Sequence, residues 1–401
     1  MTLLTKALHV RALCTKLAKE DFVTVDTEFI REKTYWPDLC LIQVAGENEA
    51  AAIDPLTADM DLTPVWELMQ NPTVVKVFHA ARQDIEIFVH LTGKTPTPVY
   101  DTQIAAMVCG FGDQVGYESL VQKLAKARID KASRFTDWAA RPLSHKQLSY
   151  ALSDVTHLRT AYRKLRRQIQ SEKREAWIAE EMATLEDIST YVKKPEEAWQ
   201  RIKSRSLKPK HLAVLKEVAA WRESLARQKN IPKNRIFRDE TLLDIVSNAP
   251  KTVAELSRAR GVSKRLAEGP GGQEILKAIR RGVNASTTEV PTAPKREKLP
   301  PRVAPVVEFL KVLLKDRCER SNVAQKLVAS MADLERIATD DEAAVPALSG
   351  WRRDLFGADA IALKKGDLAL AVRNGGVETI CLDRTSGPPA TAPGATFRPS
   401  R

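Results

Sequence analysis

Cysteine is scarce and unpatterned in this chain. Its 401 residues hold five, Cys14, Cys40, Cys109, Cys318 and Cys381, and no two stand as CxxC. An odd, scattered set supports neither a disulfide framework nor a cysteine-ligated zinc site. Each is read as a small buried hydrophobe. Long apolar runs are also missing: none approaches the roughly 18 residues of a membrane span. Residues 1–10 lack the basic and apolar regions of a secretory signal. The expectation is a soluble, cytoplasmic protein without membrane partners. No GxxxxGK[ST] phosphate loop occurs, which argues against a P-loop NTPase or helicase. Acidic residues are the minority charge, 51 against 63 Lys and Arg, for a net charge of +12. That excess suits a polyanionic partner. Nucleic acid fits better than acidic membrane, because no basic amphipathic anchor adjoins an apolar patch. No hydrophobic heptad seam argues for an obligate dimer, so a monomer is expected.

What is present divides along the chain. Hydrophobic residues make up 43% of it, enough for real cores, and the length suits two to four domains. Residues 1–165 alternate short apolar runs with helical spacing. Strands are predicted at 22–26, 39–44, 51–53 and 74–78, and helices at 61–70 and 84–90. Runs that lose strict polar alternation fit strands buried on both faces of an α/β domain. From about residue 163 the strand pattern stops. Residues 166–207 read as a basic helical connector. Residues 208–283 read as a small bundle, with Leu212, Leu215, Val218, Ala219 and Leu225 at helical spacing. A Ser/Thr/Pro/Lys mix marks a linker at 284–301. A second helical block runs over 302–373, and 374–401 reads as a largely disordered tail.

The chemistry-bearing residues lie in the first part. Asp26 and Glu28 end the first strand, and residues i and i+2 of a strand share a face. Alone, such a pair reads as a solvated strand end. Asp84 follows the strand at 74–78, where open α/β sheets gather ligands; alone it reads as a helix N-cap. Tyr150 and Asp154 stand at i and i+4 of a predicted helix and share a face. Taken together, four carboxylates suit two hard divalent ions, Mg²⁺ or Mn²⁺, which bind oxygen rather than thiol or imidazole. Two such ions can clamp the attacking and leaving oxygens of phosphoryl transfer. A phenol with an ordinary pKa near 10 is better placed to orient the attacking water than to act as a strong base.

The stretch Val25-Asp-Thr-Glu-Phe-Ile-Arg-Glu-Lys-Thr-Tyr-Trp-Pro-Asp-Leu-Cys-Leu-Ile-Gln43 closely resembles the first exonuclease motif of the ribonuclease D family. Phe78-His-Ala-Ala-Arg-Gln-Asp-Ile-Glu-Ile-Phe88 resembles the second, and Tyr150-xxx-Asp154 the YxxxD form of the third. In order and spacing they resemble the tyrosine-bearing branch of the DEDD 3′→5′ exonuclease superfamily over residues 1–165. The histidine branch would need His at 149, where Ser149 stands. The resemblance implies a ribonuclease H-like mixed sheet with flanking helices. It implies Asp26, Glu28, Asp84 and Asp154 as metal ligands and Tyr150 as the water-orienting residue. Residues 208–283, through Ile231-Pro-Lys-Asn-Arg-Ile-Phe-Arg-Asp-Glu240, resemble the HRDC domain. Residues 302–373 resemble a second, diverged copy, which makes the remainder two all-α bundles.

The activity so implied is removal of nucleotides from RNA 3′ ends, releasing nucleoside 5′-monophosphates. Its substrate would be an RNA with a single-stranded 3′ end, typically precursor tRNA. Basic residues at 163–167 and 201–210 read either as a phosphate track or as solvated helix surface. Tyr35 and Trp36 read as base-stacking side chains or as core. Arg82 and Gln83 either touch the substrate or open the helix, and His79 reads as structural. A DNA exonuclease and a non-catalytic RNA-binding scaffold are the rival readings. Retention of all four carboxylates argues against the scaffold.

Overall fold

In the computed structural model, residues 2–130, 136–203, 207–286 and 300–382 are described. They cluster into two compact units, Met1–Ala105 with Gly116–Arg296, and Ala106–Val115 with Glu297–Arg401.

The first unit opens on a six-stranded mixed sheet. Its strands are β1 (Leu3–Leu4), β2 (Phe22–Ile30), β3 (Asp38–Ala45), β4 (Ala50–Ile53), β5 (Val75–Phe78) and β6 (Val99–Asp101), in the order β1-β4-β3-β2-β5-β6. β3 runs antiparallel to β2 and β4, and the remaining pairs are parallel. β2 and β3 are buried along most of their length, which explains their unbroken apolar runs. Helices α1 (Ala7–Leu17), α2 (Thr63–Gln70), α3 (Arg82–Thr92), α4 (Thr102–Val108), α5 (Tyr117–Leu124) and α6 (His145–Ser171) accompany the sheet. α6 turns Ala151, Leu152, Val155, Leu158, Ala161, Tyr162, Leu165 and Ile169 inward at helical spacing.

β2 does not end at its acidic pair, as the sequence suggested, but continues to Ile30. The reason is its two neighbours. β5 pairs with it only as far as Thr24, while β3 stays paired through Ile30, with a register shift between Glu28 and Phe29. Asp26 and Glu28 therefore lie beyond the end of β5, on a strand held from one side. That placement leaves the carboxylates an open flank on the β5 side of the strand.

α7 (Glu175–Glu186) is fastened to the sheet: the Val99 N–H donates to Glu186 Oε1 at 2.7 Å and Thr97 Oγ1 to Oε2 at 3.2 Å. Beyond it come a 3-10 turn at Ile188–Thr190 and another at Pro195–Arg201. The helical bundle comprises α8 (Pro209–Gln228), α9 (Lys233–Ile236), α10 (Asp239–Asn248), α11 (Val253–Leu256), α12 (Lys264–Glu268) and α13 (Pro270–Val283). Its core joins Leu212, Leu215 and Val218 to Leu242, Ile245, Ile275 and Ile279. Trp199 and Ile202 enter the same core, so the far end of the basic connector is structurally part of this bundle.

The second unit carries α14 (Ala304–Arg320), α15 (Gln325–Val328), α16 (Met331–Thr339), α17 (Gly350–Arg352) and α18 (Ala358–Lys365). The expectation that strands cease after residue 163 is corrected here. β7 (Leu368–Arg373) and β8 (Gly376–Cys381) form an antiparallel hairpin across the residue 373/374 boundary drawn for the tail. Asn374 and Gly375 join them at φ 51° and 78°. Positive φ at both central residues is what a tight hairpin with right-twisted strands requires, and Asn-Gly supplies it. No described helix is long and apolar enough to cross a membrane.

Candidate active site

Three elements converge on one cleft of about 650 Å³. β2 brings Asp26, Glu28 and the intervening Thr27. The start of α3 brings Gln83 and Asp84, and α6 brings Tyr150 and Asp154. Asp26, Glu28 and Asp154 each offer an oxygen, and these oxygens all lie within 4.8 Å of one another. The spacing i, i+2 on the strand and i, i+4 on the helix produces this meeting.

Identifiable bonds hold the elements that carry these side chains. Thr24, within β2, donates its hydroxyl to the Val155 carbonyl at 2.8 Å, fixing α6 beside the strand one residue from Asp154. Tyr117 Oη donates to the Asp154 carbonyl at 2.5 Å and lies 3.1 Å from that of Ser153. Thr27 Oγ1 donates to Asp84 Oδ1 at 2.5 Å, so the strand reaches α3 through a charge-assisted bond. Asp84 is not the cap of its helix. Ala81 holds that position without a side-chain cap, and Asp84 lies inside the first turn. The turn before α3 is set by Asp101, whose carboxylate accepts the Ala80 and Ala81 N–H groups at 3.0 and 2.9 Å. Ala80 takes a left-handed φ of 60° there.

α6 begins at a capping box: Ser144 Oγ accepts the Gln147 N–H at 3.2 Å and Gln147 Oε1 accepts the Ser144 N–H at 2.9 Å. Arg141, just upstream, grips Asp54 through two bonds of 2.7 Å. Trp138 and Leu152 belong to the cluster against which Tyr150 packs.

Crowding of acids sets the electrostatics. Burial, then Asp84, Asp154 and Glu28, push the Asp26 carboxyl well above its usual range. Burial, then Asp154 and Asp84, push Glu28 up to about 9. Burial raises Asp84 to about 7 against the opposing pull of the Thr27 hydroxyl. Burial, with Asp154 and Asp26 nearby, also pushes the Tyr117 phenol up. A site of this kind is costly to ionise unless cations neutralise it. An all-oxygen donor set fits hard divalent ions.

The other sequence candidates stand nearby. Gln83 lines the cleft. Arg82 and Gln83 also line a second cavity, together with Tyr35 and Trp36. Tyr35 has a structural partner: its hydroxyl pairs with Glu223 of α8 and accepts from Arg227 Nε at 3.2 Å. Trp36 stacks on His90 at 4.2 Å between centroids. His79 Nδ1 lies 3.0 Å from Thr102 Oγ1. Sequence reasoning missed Thr27, Asp101 and Tyr117. Asp101 was findable, since it ends a parallel strand as Asp84 follows one. No spacing rule points to Tyr117.

The fold is that of a 3′-5′ exonuclease. Residues 1–170 match the protein family described as 3′-5′ exonuclease, and residues 211–279 match the HRDC domain. The chain is 49% identical to the ribonuclease D of Granulibacter bethesdensis over 372 residues, covering 92% of this chain and 94% of that protein. It is likewise 49% identical to the ribonuclease D of Acidiphilium cryptum over 371 residues, covering 92% and 95%. The crystal structure of Escherichia coli RNase D, described as an exoribonuclease involved in structured RNA processing, superposes with a TM-score of 0.78. It shares 27% identity and covers 91% of this chain and 98% of that one. The chain belongs to the ribonuclease D family. Membership implies divalent metal ions as cofactors, and the acidic cluster provides for them.

Proposed function

We propose that this chain shortens RNA from the 3′ end, one nucleotide at a time, releasing nucleoside 5′-monophosphates. The observation that carries this is the meeting of Asp26, Glu28 and Asp154 oxygens within 4.8 Å, in a cleft that Asp84 and Tyr150 also line. In this reading Asp26, Glu28, Asp84 and Asp154 hold two ions, Mg²⁺ or Mn²⁺. Bound there, such ions supply Lewis acidity and neutralise charge developing on phosphate. Tyr150 directs water at the last phosphorus through its phenol. The bond from phosphorus to the upstream 3′ oxygen breaks, and that oxygen leaves as the new 3′ hydroxyl. In this reading Gln83, at the cleft wall, touches the sugar or phosphate of the terminal nucleotide.

The natural substrate in this reading is a structured RNA with a short single-stranded 3′ end, precursor tRNA above all, acted on by a monomer in the cytoplasm. The E. coli relative's part in structured RNA processing supports the class. The second unit extends the reading. α14, α15, α16 and the segment from α17 to α18 repeat the long, short, medium and closing helices of α8 to α13. That order supports a second, diverged HRDC-like module.

The test is digestion of a 3′-extended tRNA beside matched single-stranded DNA, with Mg²⁺, Mn²⁺ or EDTA. Stepwise mononucleotide release from RNA, lost in EDTA, is expected. Asp26→Asn and Asp154→Asn should abolish cleavage while RNA binding persists, and Tyr150→Phe should lose about 10²–10⁴-fold. Full activity in a folded Asp26→Asn protein would remove the metal assignment.

A further inference from the structure

The cavity beside the catalytic cleft, about 410 Å³, is unlike the cleft in charge. Arg31, Arg82, Lys193, Arg201 and Arg227 line it against a single acid, Glu86. Some of these cations are committed. Arg31 forks onto Glu86 at 2.8 and 3.1 Å, and Arg227 serves Tyr35, Glu223 and the Lys193 carbonyl. Arg82 and Arg201 are exposed and make no hydrogen bond or ion pair among the described residues. Gln83 lines both cavities, so the two adjoin at the start of α3.

We infer that this cavity holds the phosphates of the RNA upstream of the bond being cut. The inference rests on the exonuclease reading of the neighbouring cleft. Its direction follows from substrate chemistry. Beyond the scissile phosphate the terminal nucleoside carries no further phosphate, whereas the upstream strand carries one per nucleotide. A cation-lined cavity therefore matches the upstream side only. It reads phosphate rather than base, because Trp36 already stacks on His90 and Arg227 lies 5.8 Å from the Trp36 ring centre. Recognition there is independent of sequence and sensitive to salt. The 3-10 segment ending at Arg201 and the catalytic domain both contribute to the cavity.

The experiment is steady-state hydrolysis of oligoadenylates of two to seven nucleotides by wild type, Arg201→Ala, Lys193→Ala with Arg201→Ala, and Arg201→Lys. Wild-type KM should fall with length and then level off. The double variant should lose that gain, with KM for the longer oligomers rising about tenfold and little change in kcat. Its salt dependence should weaken by about 1.4 in log–log slope, from two single-strand phosphate contacts at ~0.7 each. Arg201→Lys should recover most of the loss. A KM that falls with length equally in wild type and the double variant would overturn the inference. So would a loss already complete on the dinucleotide, which would put the cations on the terminal side. A wild type that hydrolyses no oligomer would instead sink the exonuclease reading.

Discussion

Thr27 stands between the two carboxylates of β2 and spends its hydroxyl on a third, Asp84, at 2.5 Å. That bond favours the ionised form of Asp84, opposing the burial that lifts its carboxyl to about 7. Thr27→Val keeps the shape and removes the donor. The expected outcome is an Asp84 pKa shifted further up, with kcat/KM lowered more at pH 7 than at pH 9; Thr27→Ser should restore it. A pH–rate profile of the Val variant superimposable on wild type would show that the bond does not tune the site. This residue also marks the limit of sequence reading. Asp26, Glu28, Tyr150 and Asp154 announce themselves because each pair has a fixed local spacing on one element. Thr27, Tyr117 and Asp101 act on partners 57, 37 and 21 positions away. Such bonds exist only once the sheet and helices are assembled, and no local period encodes them.

Among the elements, α6 shows how secondary structure controls chemistry. Its capping box at Ser144 secures the first turn, Tyr150 lies in the second, and Asp154 in the third beside the Thr24 tether on Val155. Ser144→Ala should cost about 1 kcal/mol of stability. The loosened first turn should also lower kcat, by roughly tenfold at most. Metal affinity should stay unchanged, because Asp154 is fastened farther along. Denaturant unfolding, initial rates and a metal titration separate these effects, and Ser144→Asp should recover both stability and rate. A metal affinity that falls with the rate would mean that the cap positions Asp154 as well. The strands that frame α6 were readable because burial on both faces left apolar runs. Two features were not. β2 extends past its acids because β3 remains paired where β5 has stopped, a matter of neighbours rather than composition. The β7–β8 hairpin carried its own signal, Asn374-Gly375 between alternating segments. That signal was lost in a helical block followed by a proline-rich tail.

For the whole molecule, the main tension is an acidic centre inside a chain of net charge +12. Without metal, folding brings Asp26, Glu28, Asp84 and Asp154 together, and the native state keeps protons that the unfolded chain would release. Glu28 moves from 4.5 to about 9 and Asp84 from 3.8 to about 7, and Asp26 moves in the same direction. Between about pH 4.5 and pH 9 the native state therefore binds more protons than the unfolded state. Stability must fall as pH rises through that window. These groups contribute their full stabilising effect below pH 4 and lose it progressively toward pH 9. Divalent ions reverse the penalty, because they need the carboxylates ionised and displace the same protons. The expected result is a metal-free Tm that drops from pH 5.5 to pH 8.5, and a Tm gain on adding Mg²⁺ or Mn²⁺ that is larger at pH 8.5. Glu28→Gln should flatten the metal-free pH dependence and shrink the gain. Thermal unfolding in EDTA and in excess metal at the two pH values provides the check. A gain equal at both, or larger at pH 5.5, would mean that the ions bind without displacing protons from this cluster, and would move the metal site away from it.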